Sequence, residues 1–237
     1  MSDAIILAGG FGTRLRPLVN DRPKPLALVH GKPFLDHQLA WAAASGVERV
    51  ILTVHHMADQ IIEFARSRDR CPIPIEIVHE HTPLGTGGAV KNAIQAASLT
   101  GDVVIMNGDT YYNFPLRPIL DSHEPGRFPI TMAIAQVDNC ARYGKVECTG
   151  TRVDGFSQAT GDAERGLVNC GLYIVSSEIM RESPEGQFSI ERDFFPGMAQ
   201  RSLICAFVVH EHPPFTDIGT PESYRAFCQT ITLEASQ

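Results

Sequence analysis

The residues with the clearest chemical content lie near the start of the chain. Gly9-Gly10-Phe11-Gly12-Thr13-Arg14-Leu15 follows a short apolar run, and Arg22-Pro23-Lys24-Pro25-Leu26 comes soon after. Glycines allow tight bends and present backbone N–H groups to phosphate oxygens. Thr13 adds a hydroxyl, Arg14 a planar fork suited to phosphate, and Lys24 a point charge on a backbone stiffened by two prolines. These are the parts of a phosphate-binding loop. Two familiar loops of that kind do not fit. Gly31-Lys32 and Gly144-Lys145 lack both the leading glycine and the following Ser/Thr of a P-loop. The dinucleotide fingerprint has Gly10 and Gly12 but Leu15 where its third glycine belongs, and Thr53-Val54-His55-His56 offers no acid for a ribose. Two acids, Asp109 and Asp217, each end a strand-like stretch, and each alone reads equally well as a turn or cap residue.

The elements that must carry these residues alternate through the first half. Ala4–Ala8 reads as a buried strand, Phe34–Ser45 as a helix stopped at Gly46, and Val50–Val54 as a strand. Helix Ala58–Ser67, strand Ile73–Val78, helix Thr86–Ala97 and strand Val103–Met106 follow. This alternation predicts right-handed crossovers and a parallel sheet covered on both faces. The second half is richer in strand: Ile130–Val137, Lys145–Thr149, Leu167–Val175 and Ile204–Val209. A turn at Gly161-Asp162, a helix near Ile190–Gln200 and a last helix at Ser223–Leu233 punctuate it. Ligands of open α/β sheets sit beyond the carboxyl ends of the strands, so the loops after Ala8, Val78 and Met106 are expected to share one cleft.

The chain has 237 residues, 43% of them hydrophobic, which excludes a mainly disordered chain and suits one domain. Its net charge of -7 excludes the basic field that nucleic-acid binding requires. No apolar run approaches the roughly 18–20 residues of a membrane helix. Met1-Ser2-Asp3-Ala4 lacks the basic region of a signal peptide, and the six cysteines lack C-x-x-C spacing. Reduced thiols in a cytoplasmic protein are therefore expected. The pairs His55-His56, His79/His81 and His210/His212 have no third ligand at zinc-site spacing.

Leu7-Ala8-Gly9-Gly10-Phe11-Gly12-Thr13-Arg14-Leu15 together with Pro23-Lys24-Pro25-Leu26 resembles the signature of the sugar-1-phosphate nucleotidylyltransferases. Pro83-Leu84-Gly85-Thr86-Gly87-Gly88-Ala89, Asn107-Gly108-Asp109, Arg142-Tyr143-Gly144, Asn169-Cys170-Gly171-Leu172-Tyr173 and Asp217-Ile218-Gly219-Thr220-Pro221 extend the likeness over nearly the whole chain. It implies a Rossmann-like three-layer αβα fold of the GT-A-like nucleotidyltransferase kind. The sheet is expected to be mixed and mostly parallel, with a β-rich sugar-side region. One domain over 1–237 is expected, 1–115 holding nucleotide and 116–237 mainly sugar. Because the chain ends soon after its last predicted helix, the β-helical acyltransferase domain of some relatives is not expected.

The implied reaction is attack of a sugar 1-phosphate oxygen on the α-phosphorus of a nucleoside triphosphate, which needs alignment and charge neutralisation rather than a side-chain nucleophile. The resemblance implies catalytic roles for Arg14, Lys24 and Asp109, and a Mg²⁺ held by Asp109 and Asp217. It implies nucleotide contacts from Leu7, Ala8, Gly9, Gly10, Gly12, Thr13, Glu80, Pro83, Gly85 and Thr86. Sugar contacts are implied from Tyr143, Gly144, Asn169, Gly171 and Glu191. Glu80 either accepts the N1–H and N2 protons of guanine or caps the helix near Thr86. Glu191 is either a hydroxyl ligand or a first-turn acid.

Gly31–Leu35, Gly87-Gly88 and Phe188–Phe194 are most similar to the branch that uses GTP and D-glycero-α-D-manno-heptose 1-phosphate. Mannose-1-phosphate guanylyltransferases, uridylyl- or thymidylyltransferases, and a non-catalytic nucleotide-sugar sensor stand as alternatives. Monomer and homo-oligomer remain open. One departure stands out. Many relatives carry Glu-Lys after a strand like Val153–Phe156, the Lys neutralising the sugar phosphate, whereas here Ser157-Gln158-Ala159-Thr160 stands. Lys145 or Arg165 substitutes, or the phosphate is held differently.

Overall fold

A computed structural model describes residues 3–67, 73–158 and 164–234. Cys71, Ala159, Thr160 and the expected turn at Gly161-Asp162 lie outside the described residues. The first half runs β1 (Asp3–Leu7), β2 (Leu28–Val29), β3 (Lys32–Pro33), α1 (Phe34–Ala44), β4 (Arg49–Val54), α2 (Ala58–Arg66), β5 (Ile75–His79), α3 (Gly85–Ala96) and β6 (Asp102–Asn107). There follow β7 (Thr110–Tyr112), α4 (Arg117–Ser122), β8 (Ile130–Val137), β9 (Lys145–Thr149), β10 (Arg152–Ser157), β11 (Gly166–Ser176) and α5 (Ser177–Arg181). A π-helical turn at Ile190–Phe194 leads into α6 (Phe195–Gln200), then β12 (Ile204–Val209), β13 (Phe215–Asp217) and α7 (Pro221–Glu234).

One nine-stranded sheet has the order β5-β4-β1-β6-β11-β8-β12-β10-β9. β1 pairs in parallel with both β4 and β6, and β4 with β5, as helical crossovers demand. β11 runs against β6 and β8, and β10 against β12 and β9; the other strands share one direction. The sheet is thus mixed but mostly parallel, with its antiparallel pairings in the second half.

Side-chain alternation splits the core into two layers. Ala4, Ile6, Val50 and Leu52 face α1 and α2 through Leu35, Leu39 and Ile61. Ile5, Ile51 and Ile105 face the opposite way, onto Val90, Ala93 and Ile94 of α3 and onto Phe195 and Met198 of α6. A third, smaller cluster joins Leu15, Ala27, Val29, Phe34, Ile218 and Phe227.

Several expected boundaries shift by a residue or two, as fraying ends do. The helix expected near Ile190–Gln200 is instead a π turn followed by a short α-helix, because Pro196 cannot donate to the ladder and sits in α6's first turn. The ribbon of β7 and β13 was not anticipated from the sequence.

Candidate active site

The carboxyl ends of β1, β4, β5 and β6 open into a cleft of about 400 Å³. Leu7 to Phe11 form one wall, and Thr53 and His55 follow β4. Glu80 follows β5, and Asn107, Gly108 and Asp109 end β6. Pro83 to Thr86, Gln187 and Glu191 close the far side. The structure thus brings together Leu7, Ala8, Gly9, Gly10, Lys24, Glu80, Pro83, Gly85, Thr86, Asp109 and Glu191. Thr13, Arg14, Gly12, Tyr143, Gly144, Asn169, Gly171 and Asp217 are not in its lining.

The glycine loop is open at its centre. A Cβ on Gly10 would meet nothing within 4 Å, and Gly12 has a left-handed φ of 59°. Gly9 is the tight point, where a Cβ would stand 3.3 Å from the His55 backbone nitrogen and from Glu80 Oε1. Lys24 begins a single 3-10 turn between its two prolines. Its ammonium meets Asp109 Oδ2 at 2.5 Å, and Thr110 Oγ1 donates to Asp109 Oδ1 at 3.2 Å. Burial pushes the Asp109 carboxyl up, but the charge and hydrogen bond of Lys24, with Thr110 and Arg14 behind them, hold it below the ordinary aspartate value.

Asp217 arrives from the other end of the chain. In the antiparallel ribbon of β7 and β13 it lies opposite Thr110, and the Ile218 N–H donates to the Asp109 carbonyl at 2.8 Å. A Cβ built on Gly219 would lie 2.9 Å from Asp217 Oδ1, 3.3 Å from Arg14 Nη2 and 3.6 Å from Asp109 Oδ2. Arg14 and both acids therefore converge around one backbone position. Three of the four charged side chains are followed closely by an apolar anchor in the small third cluster: Leu15 after Arg14, Ala27 after Lys24, Ile218 after Asp217. One patch of packing thereby fixes several functional groups.

Glu80 is buried, its Oε2 accepting the Leu84 N–H at 3.2 Å while its carbonyl meets His55 Nδ1 at 2.8 Å. Burial raises its carboxyl above the ordinary value, opposed by the Leu84 N–H and by His55. Glu191 Oε2 accepts from Thr86 Oγ1 at 2.9 Å and from Ser189 Oγ at 3.1 Å. It is both a first-turn acid and part of the cleft wall. Thr86 Oγ1 accepts from the Ile190 N–H at 2.9 Å, which ties α3 to the π turn.

The residues expected against the sugar divide. Tyr143 donates its hydroxyl to Asp217 Oδ2 at 2.9 Å, and burial, then the carboxylate's charge, push its pKa up to about 12. Asn169 is turned to its own strand: Nδ2 meets Tyr173 Oη at 2.6 Å and Oδ1 accepts the Gly171 N–H at 2.8 Å. This holds Gly171 at φ 73° in an irregularity of β11, where a Cβ would stand 2.5 Å from Asn107 Nδ2. Gly144, at φ 74°, lies beside the Ser157 carbonyl. Residues at the site that were given no role from sequence include Gln187 and Arg142. Gln187 lines the cleft, and Arg142 sits on Asp217 with Nη2 3.1 and 3.2 Å from its two oxygens. Arg142 lies directly beside Tyr143 in a motif already noted, which was the available signal.

The sequence matches the nucleotidyl transferase family over residues 3–233. This chain belongs to that family. It is similar to the D-glycero-alpha-D-manno-heptose 1-phosphate guanylyltransferase of Aneurinibacillus thermoaerophilus, at 35% identity over 94% of this chain and 95% of that protein. The mannose-1-phosphate guanylyltransferase of Mycobacterium tuberculosis is 34% identical over 94% of this chain, which spans 62% of that relative's length. The crystal structure of HddC from Yersinia pseudotuberculosis superposes with a TM-score of 0.85 at 33% identity, covering 98% of this chain and 100% of that one. The same protein has been solved complexed with GMP-PN. In this family member, no helix among the described residues is long and apolar enough to cross a membrane.

Proposed function

We propose that this protein is a Mg²⁺-dependent sugar-1-phosphate guanylyltransferase. It transfers GMP from GTP to D-glycero-α-D-manno-heptose 1-phosphate, giving the GDP-sugar and pyrophosphate. The observation that carries the reading is the convergence of Arg14, Asp109 and Asp217 around Gly219, with Lys24 on Asp109, beside a cleft that Lys24, Asp109 and Glu80 all line. The relatives' names supply the base and the sugar.

The metal fits the donors. Among the described residues no group of three or more His, Cys, Asp or Glu side chains gathers. A pair of carboxylates suits Mg²⁺, which prefers hard oxygens and keeps positions for phosphates and water. Asp109 and Asp217 would hold the ion. An ion held there would supply charge neutralisation for the triphosphate.

The chain's own groups do the rest. The sugar phosphate oxygen attacks the α-phosphorus in line, the bond to the bridging oxygen breaks, and pyrophosphate leaves. The Gly9–Gly12 backbone bends around the triphosphate, and Arg14 stabilises the charge that grows on the leaving group. Lys24 leans on the α-phosphate while Asp109 fixes its ammonium. Glu80 accepts the two adjacent guanine protons, with Gly85 and Thr86 close by. Residues 1–115 serve the nucleotide and 116–237 mainly the sugar, as one domain. The cytoplasm, where nucleoside triphosphates are made, is the expected location.

The test is pyrophosphate release with Mg²⁺ across four NTPs and a set of sugar 1-phosphates including the heptose and mannose compounds, beside Asp109→Asn. Turnover with GTP and the heptose phosphate, lost in the variant, is expected. Preference for mannose 1-phosphate overturns the sugar assignment, preference for another NTP overturns the base, and no turnover with any pair overturns the enzyme.

A further inference from the structure

A sugar phosphate is a dianion that must approach the α-phosphate of another polyanion, so the site needs a cation beyond those facing the triphosphate. The two basic residues that the sequence offered for this are committed elsewhere. Lys145 Nζ pairs with Glu164 at 2.6 Å in a part-buried bridge, and Arg165 faces Asp138 at 3.8 Å on the exposed surface. Arg142 is differently placed. It sits on Asp217, beside the point where Arg14 and Asp109 converge.

The support beneath Arg142 is built rather than incidental. Its turn is anchored by buried Cys140, whose carbonyl accepts the N–H groups of Tyr143 and Gly144 at 3.0 Å and whose own N–H donates to the Glu164 carbonyl at 2.9 Å. The guanidinium lies 5.4 Å from the Tyr143 ring centre, and that ring packs edge-on against Phe215, two residues before Asp217. Both contacts to Asp217 run through Nη2, and the side chain is 46% exposed. Nε and Nη1 are not needed for those contacts, and a guanidinium fork binds phosphate through such pairs.

We infer that Arg142 is the residue that binds the sugar 1-phosphate's phosphate group in this enzyme, with Asp217 and Tyr143 orienting its guanidinium. The inference rests on the reading of the protein as a sugar-1-phosphate nucleotidylyltransferase and names the residue that the missing Lys leaves open. With Asp217 holding Nη2, the Nε and Nη1 edge of the guanidinium is the one offered to a phosphate.

The test compares wild type, Arg142→Ala, Arg142→Lys and Arg165→Ala, using the sugar 1-phosphate that wild type turns over. Arg142→Ala is expected to raise the KM for that sugar phosphate roughly 10- to 100-fold, the worth of a charge-assisted hydrogen bond. Its KM for GTP and melting temperature stay close to wild type. Arg142→Lys recovers part of the loss, and Arg165→Ala leaves it unmade. Calorimetric titration of the sugar 1-phosphate into each protein, without GTP, should give the same order. An unchanged sugar-phosphate KM in Arg142→Ala overturns the inference, as does an equal rise in the GTP KM or a rise confined to Arg165→Ala. Wild type inactive on every pair overturns the functional reading instead, so the two failures are distinguishable.

Discussion

Two glycine-rich segments face each other across the cleft, and they use their glycines in opposite ways. At its centre the Gly9 to Gly12 loop leaves room for something outside the protein: a methyl group on Gly10 would touch nothing. Gly85, Gly87 and Gly88 leave room for the protein itself. A Cβ would stand 2.5 Å from the Phe188 carbonyl at Gly85, 2.1 Å from the Phe188 ring at Gly87, and 2.4 Å from the Gly186 carbonyl at Gly88. The Phe188 carbonyl also accepts the N–H groups of Gly87 and Gly88, at 3.0 and 3.4 Å. The start of α3, by its helix dipole an anion site in principle, is thus already plugged by a backbone carbonyl. Phosphate belongs to the first segment, while the second is a packing joint that fixes the cleft's far wall.

That contrast can be broken by experiment. The largest effect is expected at Arg14, where Arg14→Ala should lower kcat/KM by roughly 10²- to 10³-fold, the usual cost of one transition-state donor, without changing thermal stability. A loss explained by unfolding would move the first segment into the structural class.

Next comes the glycine pair. Gly87→Ala should destabilise by about 2–3 kcal/mol in urea unfolding, since overpacking outweighs the helix-propensity gain of alanine, and a second change, Phe188→Leu, should recover part of it. Gly10→Ala should alter stability by less than about 0.5 kcal/mol while raising the KM for GTP. Equal stability losses at both positions would erase the distinction drawn here.

A subtler test uses Glu80. Glu80→Gln should weaken GTP binding by roughly 10- to 100-fold, as removing a charged acceptor does. Burial raises the wild-type carboxyl above its unfolded value, and the guanine-binding form is the ionised one. Wild-type GTP affinity should therefore fall as the pH drops through that raised value, while the variant's stays flat. Above it the buried charge disfavours the fold, so Glu80→Gln should also be the more stable protein at neutral pH, the gap closing on acidification. A parallel pH profile in both proteins would remove Glu80 from the base site.

Much of the frame was legible before any coordinates. The run Ala4–Ala8, the glycines after it and the P-K-P turn are local, and local chemistry specifies them: an unbroken apolar run for the buried strand, permissive φ for the loop, restricted φ around Lys24. Helix α1 stops at Ser45, with Gly46 next at φ 81°, as its C-cap chemistry requires. The strand-helix alternation likewise implied the parallel half of the sheet. Less was visible in β7 and β13. Three-residue strands are too short to show a period, and their pairing joins Thr110 to Asp217 across the chain.

The sequence by itself therefore determined the types of group in the site and the elements that end beside it, because periodicity, capping and glycine placement act over a few residues. Only the tertiary structure decided which groups share a space. It set Asp217 beside Asp109 through a ribbon, seated Arg142 on Asp217, turned Asn169 toward Tyr173, and filled the start of α3 with Phe188. These outcomes depend on hydrogen bonds and packing between distant segments, whose partners no local spacing specifies.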